Sequence, residues 1–186
     1  MGLHGWRSWL SLGLLSVLLF SCAIAQNGDD GAVKEFQGRV DNYLSAKKKH
    51  DIAKKPTASP GKLAQEKQQT VEKTRQARPD AQQGDIFTPA VAAYFKQRIE
   101  STLQGPNGSK VRASLRHAEP LPNVQLKVNS RYPKNLPLQS TPPTILMNLP
   151  QLPKELQYRI VGSTLVLYDM SSGLIVDFIL NAVPAA

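Results

Sequence analysis

LQYRIVGSTLVLYDMSSGLIVDFIL, residues 156–180, decides the fold. It contains three runs in which apolar residues recur at every second position, the period of a half-buried strand. Gly162-Ser163 suits a two-residue hairpin turn with glycine first, which pairs Val161 with Thr164 and Ile160 with Leu165. Residues 170–173, MSSG, supply a second turn that pairs Asp169 with Leu174 and Leu165 with Phe178. A slip of one residue would exchange the faces, so the faces test the register. One face carries Leu156, Tyr158, Ile160, Leu165, Leu167, Leu174, Val176 and Phe178, with Asp169 at its edge. The other is mixed: Gln157, Arg159, Val161, Thr164, Val166, Tyr168, Ile175, Asp177 and Ile179. Arg159 and Asp177 flank Val166 there, on strands about 9–10 Å apart, so this register predicts that they meet or share a partner.

Upstream, SRYPKNLPLQSTPPTILMNLPQLPK (130–154) is rich in proline yet also rich in Leu136, Leu138, Ile145, Leu146, Met147, Leu149 and Leu152. It reads as an ordered meander over a core, with one helical turn after Pro143. VQLKV (124–128) alternates and predicts a further strand. GDIFTPAVAAYFKQRIESTLQGP (84–106) has Thr88 as a cap, Pro89 as the first helical residue and Gly105-Pro106 as the stop. Its stripe of Val91, Tyr94, Phe95, Ile99 and Leu103 must be buried. A short helix over 108–118 would place Val111 and Leu115 on one face.

Two more helices are expected before it. Val33, Phe36, Val40, Tyr43 and Leu44 recur at helical spacing up to about Lys49, with Asp29 or Asp30 as the cap. After PTASPGK (56–62), Ser59-Pro60 starts a second helix, polar except for Leu63, Val71 and Ala77. Pro79 interrupts it and Gly84 ends it. Packed together, the two make a helical hairpin. The fold class is therefore α+β, an N-terminal helical hairpin and a further amphipathic helix followed by a three- to four-stranded antiparallel sheet. The divisions are 1–25 as a signal peptide, 26–84 as the hairpin, and 85–186 as an α+β domain. That domain contains the proline-rich meander (120–153) and the β-meander (155–181).

The start of the chain bears on location. Arg7, then an apolar run from Leu10 to Phe20, then small residues, has the order of a secretory signal. The run is shorter than the roughly 20 residues of a spanning helix. In LLFSCAIAQ (18–26), small residues at Ala23 and Ala25 favour cleavage between Ala25 and Gln26. The rival is a lipobox ending at Cys22, which would tether the protein by a lipid; Phe20 is bulky for that motif. The protein is thus expected to be exported, periplasmic or secreted, or else lipid-anchored. No later segment predicts a transmembrane helix.

The 186-residue chain carries 23 Lys and Arg against 14 Asp and Glu. Loss of residues 1–25 removes only Arg7 from this balance and leaves +8. It also removes Cys22, the only cysteine, which excludes thiol catalysis and cysteine-ligated metal from the mature chain. KKKHDIAKK (47–55) gathers Lys47, Lys48 and Lys49 at a helix end, where they complement the dipole or meet an anionic surface. Without interleaved aromatics the cluster does not predict specific nucleic-acid binding.

Motifs for chemistry are sparse. His50 and His117 have no neighbouring ligand, and there is neither a phosphate loop nor a Gly-x-Ser-x-Gly elbow. No cofactor or metal is implied, and no catalytic residue is assigned. Asp85, Arg131, Tyr132, Arg159 and Asp177 are the polar candidates for binding, each with a structural alternative; Asp85 suits a turn that satisfies backbone amides. GDIFTPAV (84–91), VNSRYPKNLPLQSTPPTILMNLPQLPKELQYRIVG (128–162) and LIVDFI (174–179) resemble a family of uncharacterised exported bacterial proteins. The resemblance implies bacterial origin and export, and no activity. Three functions follow as expectations. The first is a non-enzymatic cell-envelope protein that binds a partner, such as an envelope protein, or an anionic polymer or lipid surface. The second is a small periplasmic hydrolase with an acid–base pair from Asp85, Asp177 or His117. The third is an assembly or chaperone-like module that uses the mixed sheet face, expected to be exposed.

Overall fold

The computed structural model describes residues 21–50, 59–116, 125–133 and 141–184. Among these residues five helices, α1 (Ser21–His50), α2 (Pro60–Gln76), α3 (Pro89–Gln104), α4 (Gly108–Arg116) and α5 (Pro143–Leu146), precede strands β1 (Leu156–Val161), β2 (Thr164–Asp169) and β3 (Leu174–Ile179). The strands form one antiparallel sheet in the order β1-β2-β3. The chain is an α+β protein. Residues 1–20, His117, Leu136 and Leu138 lie outside the described residues, as does most of the expected signal segment. Among the described residues, no helix is long and apolar enough to cross a membrane.

The first hairpin has the expected register, from Leu156 opposite Asp169 to Val161 opposite Thr164. Gly162 has φ of 58°, the positive value that a turn with glycine first requires. The second hairpin also starts as expected, with Asp169 opposite Leu174 and Tyr168 opposite Ile175. A β-bulge then intervenes. Leu167 pairs with Asp177, Val166 with Phe178, and Leu165 with Ile179, not with Phe178. Val176 is the extra residue, and a bulge shifts every later side chain to the other face. Phe178 therefore packs with Val166 and Val161, and Ile179 joins Leu165 and Leu167. Arg159 and Asp177 end on opposite faces, which overturns the expected contact between them.

The sheet has a core on each side. Towards the helices, Phe36 of α1, Phe87, Phe95 of α3 and Tyr158 of β1 make one aromatic nest. Phe36 and Phe95 meet edge to face at 4.9 Å, and Phe95 and Tyr158 at 5.8 Å. Edge-to-face pairs align the ring quadrupoles favourably, adding about 0.5–1.5 kcal/mol each to the burial term. Phe36, Val40 and Tyr43 thus share a core with the strands. The other face, expected to be exposed, is covered: Val161, Val166, Ile175 and Phe178 are buried with Val128 and Tyr132.

α3 follows its sequence signals. Thr88 Oγ1 accepts from the Val91 amide, Pro89 opens the helix and Gly105 closes it. The other helices depart in part. α1 is already helical where the described residues start at Ser21, so Asp29 and Asp30 lie within it and do not cap it. α2 ends at Gln76, before Pro79, whose ring disfavours helical geometry in the preceding residue. Its packed face is Thr70, Val71 and Thr74, while Leu63 is exposed. The threonines bury without penalty because each hydroxyl donates to the carbonyl four residues back, at 2.8 Å. Residues 125–128, the described part of VQLKV, form no strand; instead Asn129, Ser130 and Tyr132 pair with Ile175 and Gly173 along the outer edge of β3. In the meander, α5 is the expected turn and buries Ile145, but Leu146 and Met147 face solvent because a single turn has only one inward side.

α3 and α4 approach through Gly108. A Cβ there would lie 1.8 Å from the Leu103 carbonyl oxygen, a backbone atom that cannot swing aside. Gly108→Ala is expected to lower stability by about 2–3 kcal/mol through overpacking. Thermal unfolding would then shift down by about 4–12 °C for a chain of this size; an unchanged midpoint would mean that α4 is free to move away from α3.

Candidate functional site

α1 presents a polar row beside its apolar stripe. Glu35, Arg39, Tyr43 and Lys47 follow at intervals of four, so they stack along one side of the helix. Each reaches a polar partner. Arg39 Nε donates to Glu35 Oε1 at 3.0 Å, and its Nη1 to the Asp85 carbonyl at 2.7 Å. The Tyr43 hydroxyl and Lys47 Nζ both donate to Asp169 Oδ2, each at 2.6 Å.

Asp169 closes the β2–β3 turn. Its Oδ1 accepts from the Ser171 amide at 2.8 Å, the Ser171 hydroxyl at 2.8 Å and the Ser172 amide at 3.3 Å. The Lys47 ammonium also bonds the Ser171 hydroxyl. Burial alone would raise the Asp169 pKa, but hydrogen bonds from Lys47 and Tyr43 together with the Lys47 charge outweigh it and hold the carboxyl below its ordinary range. Burial, then the Asp169 charge and the bond to it, push the Tyr43 hydroxyl well up, so it stays protonated as a donor. Lys47 is therefore buried structure, not part of a basic surface; Lys48 and Lys49 are exposed. α1 also includes Cys22, Ala25, Gln26 and His50.

At the other end of the row, the two candidate carboxylates come together through the loop 84–87. Asp177, fully buried, accepts from the amides of Gly84 at 3.0 Å, Ile86 at 2.8 Å, Phe87 at 2.8 Å and Phe178 at 2.8 Å. It grips the backbone on both sides of Asp85. The Asp85 carboxylate accepts from the Gln82 amide at 2.9 Å, the turn role expected of it, and from Arg78 Nη2 at 3.2 Å. Arg78 also donates to the Val176 carbonyl at 3.2 Å and lies 5.3 Å from the Tyr43 ring centroid.

The remaining candidates sit apart from this group. Arg131 is exposed, bonds Gln68 and bridges its backbone to Leu174. Tyr132 is buried edge to face on Tyr168, 5.6 Å between centroids, and burial raises its pKa. Arg159 lies 5.6 Å from the Tyr168 ring centroid and donates to Gln157 Oε1 at 2.7 Å. These three brace the second face of the sheet. The sequence reading missed Arg39, Tyr43, Arg78 and Asp169 as polar groups. The spacing of Arg39, Tyr43 and Lys47 was a signal, as was Asp169 ahead of Ser-Ser-Gly, the pattern of a side chain that caps its own turn. Among the described residues, no group of three or more His, Cys, Asp or Glu is placed to hold a metal ion.

No protein-family model, no curated protein and no solved structure matches the chain.

Proposed function

We propose that this is an exported, non-enzymatic protein of the bacterial cell envelope that binds an anionic surface or partner through its basic exterior. The observation that carries the proposal is how its carboxylates are engaged. Of the acid–base candidates, Asp177 is filled by four backbone amides and Asp85 is held by the Gln82 amide and Arg78; Asp169 is likewise taken up by Lys47, Tyr43 and the turn. A hydrolase needs a carboxylate able to take and return a proton at substrate, and these carboxylates serve the fold. Lys34, Lys48, Lys49, Lys62 and Lys67 meanwhile stand exposed on α1 and α2. An assembly role through the second face of the sheet would require that face to be uncovered.

The test is co-sedimentation of the mature protein with phosphatidylglycerol and phosphatidylcholine vesicles and with peptidoglycan sacculi. Binding to an anionic probe should weaken as salt rises, because exposed charges are screened over about 10 Å at 0.1 M. Lys48→Glu with Lys49→Glu should weaken vesicle binding by about tenfold or more. Equal binding to the neutral vesicles, insensitivity to salt, or no binding to any probe would overturn the proposal.

A further inference from the structure

A cleft opens between α1 and the loop that follows α2. It has a volume of about 240 Å³ and is lined by Arg39, Asn42, Tyr43, Ala46, Arg78, Asp85 and Ile86. Ligand pockets for drug-sized molecules run from about 300 Å³ upwards, so this one suits something smaller. Its walls are held firmly. The Arg78 side chain is 12% exposed and is fixed by Val176, Asp85 and the Tyr43 ring. Arg39, 41% exposed, stands at the mouth, fixed by Glu35 and the Asp85 carbonyl.

The donors in this cleft outnumber the acceptors. A guanidinium has five N–H groups. Arg39 directs two bonds to the protein, from Nε and Nη1, and Arg78 two, from Nη1 and Nη2. Each therefore keeps N–H groups for another acceptor, and the exposed Asn42 amide adds to them. Asp85 is the one acidic side chain in the lining, against two arginines. Glu35 pairs with Arg39 at 3.0 Å beside this lining, so two carboxylates balance the two guanidiniums; the spare N–H groups, not a net positive charge, favour one further carboxylate over a doubly charged group. Planar guanidinium edges match a carboxylate in geometry, and Ile86 offers a small apolar contact.

We infer that this cleft binds one carboxylate of a small molecule or chain end, with Arg39 and Arg78 as its receptors and Ile86 beside its carbon substituent. The site is independent of the basic exterior proposed above, and its failure would leave vesicle binding untouched. The carboxylate has two sources, a free small acid or the C-terminus of a peptide. NMR chemical-shift titrations of the full mature protein separate them, with lactate as the free acid, acetyl-Ala-Ala as the chain end and acetyl-Ala-Ala-amide as the uncharged control. Saturable shifts at Arg39, Asn42 and Ile86 with either acid, and none with the amide, are expected. The tighter acid identifies the source. Arg39→Gln, at the exposed mouth, should weaken that binding at least tenfold while circular dichroism and melting stay close to the parent. Equal shifts with the amide, no saturable response to either acid, unaltered binding by Arg39→Gln, or tighter binding of methyl phosphate would overturn the assignment.

Discussion

Asp177→Ala is expected to lower the unfolding free energy by about 4 kcal/mol, because it strands two buried amides and one half-buried amide of another segment at about 1–3 kcal/mol each. Those amides belong to Gly84, Ile86 and Phe87. They lead directly into α3, and Phe87 stacks on Phe36 at 5.7 Å. Loss of the carboxylate would therefore loosen the helix entry and the aromatic nest together. Asp177→Asn should fare little better. Each carboxylate oxygen accepts two amides, and the asparagine NH₂ would face two donors in place of one oxygen. With a total stability of about 5–15 kcal/mol expected of a domain, either variant would unfold at a much lower urea concentration. A change below about 1 kcal/mol would mean that the loop finds other acceptors and the clamp contributes little.

The second large effect separates three adjacent lysines. Lys47→Met should cost about 3–5 kcal/mol, the usual result of breaking one side of a buried ion pair. Lys48→Met and Lys49→Met, both exposed, should stay within about 0.5 kcal/mol of the parent. The pH dependence checks the cause. In the parent the Asp169 pKa is lowered on folding. Its contribution is therefore complete above the unfolded carboxyl value of about 3.9 and is lost as pH falls through the lower folded value. In Lys47→Met the lysine bond and charge that lower this pKa are gone, so the folded pKa moves up and this pH-dependent stabilisation shrinks. The gap between parent and variant should be widest near neutral pH and should narrow below about pH 4. Urea titrations at both pH values measure it; a gap that does not vary with pH would assign the loss to packing of the lysine stem.

How far these features can be read in the sequence depends on whether a local rule decides them. Gly162-Ser163 admits only a tight turn, so the β1–β2 register followed from two residues. Thr88-Pro89 and Gly105 bounded α3 for the same reason. β3 was harder, because alternation assumes a regular ladder. Val176 satisfies the apolar pattern, and nothing in LIVDFI marks it as the extra residue. Asp177 was flagged as polar but assigned to the wrong face, since its partners are amides of a loop about 90 positions earlier and backbone donors carry no sequence signature. Lys47 looked like its two neighbours because their charge is the same. Only the direction of α1 relative to the β2–β3 turn separates them. Thr70 and Thr74 were not counted on the packed face of α2, which was read as Leu63, Val71 and Ala77; their hydroxyls are satisfied by the helix backbone itself, a partner no pattern shows.

The bulge in β3 also bears on insertions and deletions. β2 offers five positions, Leu165 to Asp169, to the six residues Leu174 to Ile179. The outer strand thus contains one residue of slack. Removal of Val176 would close the ladder and leave every remaining partner where it is, Asp177 still opposite Leu167 and Phe178 still opposite Val166. Removal of a residue from the middle of β2 would slide both of its neighbours and exchange the side chains of the two cores along the sheet. The chain can therefore shorten at one point in its sheet without a change of frame, and that point lies beside the carboxylate that ties the sheet to its helices.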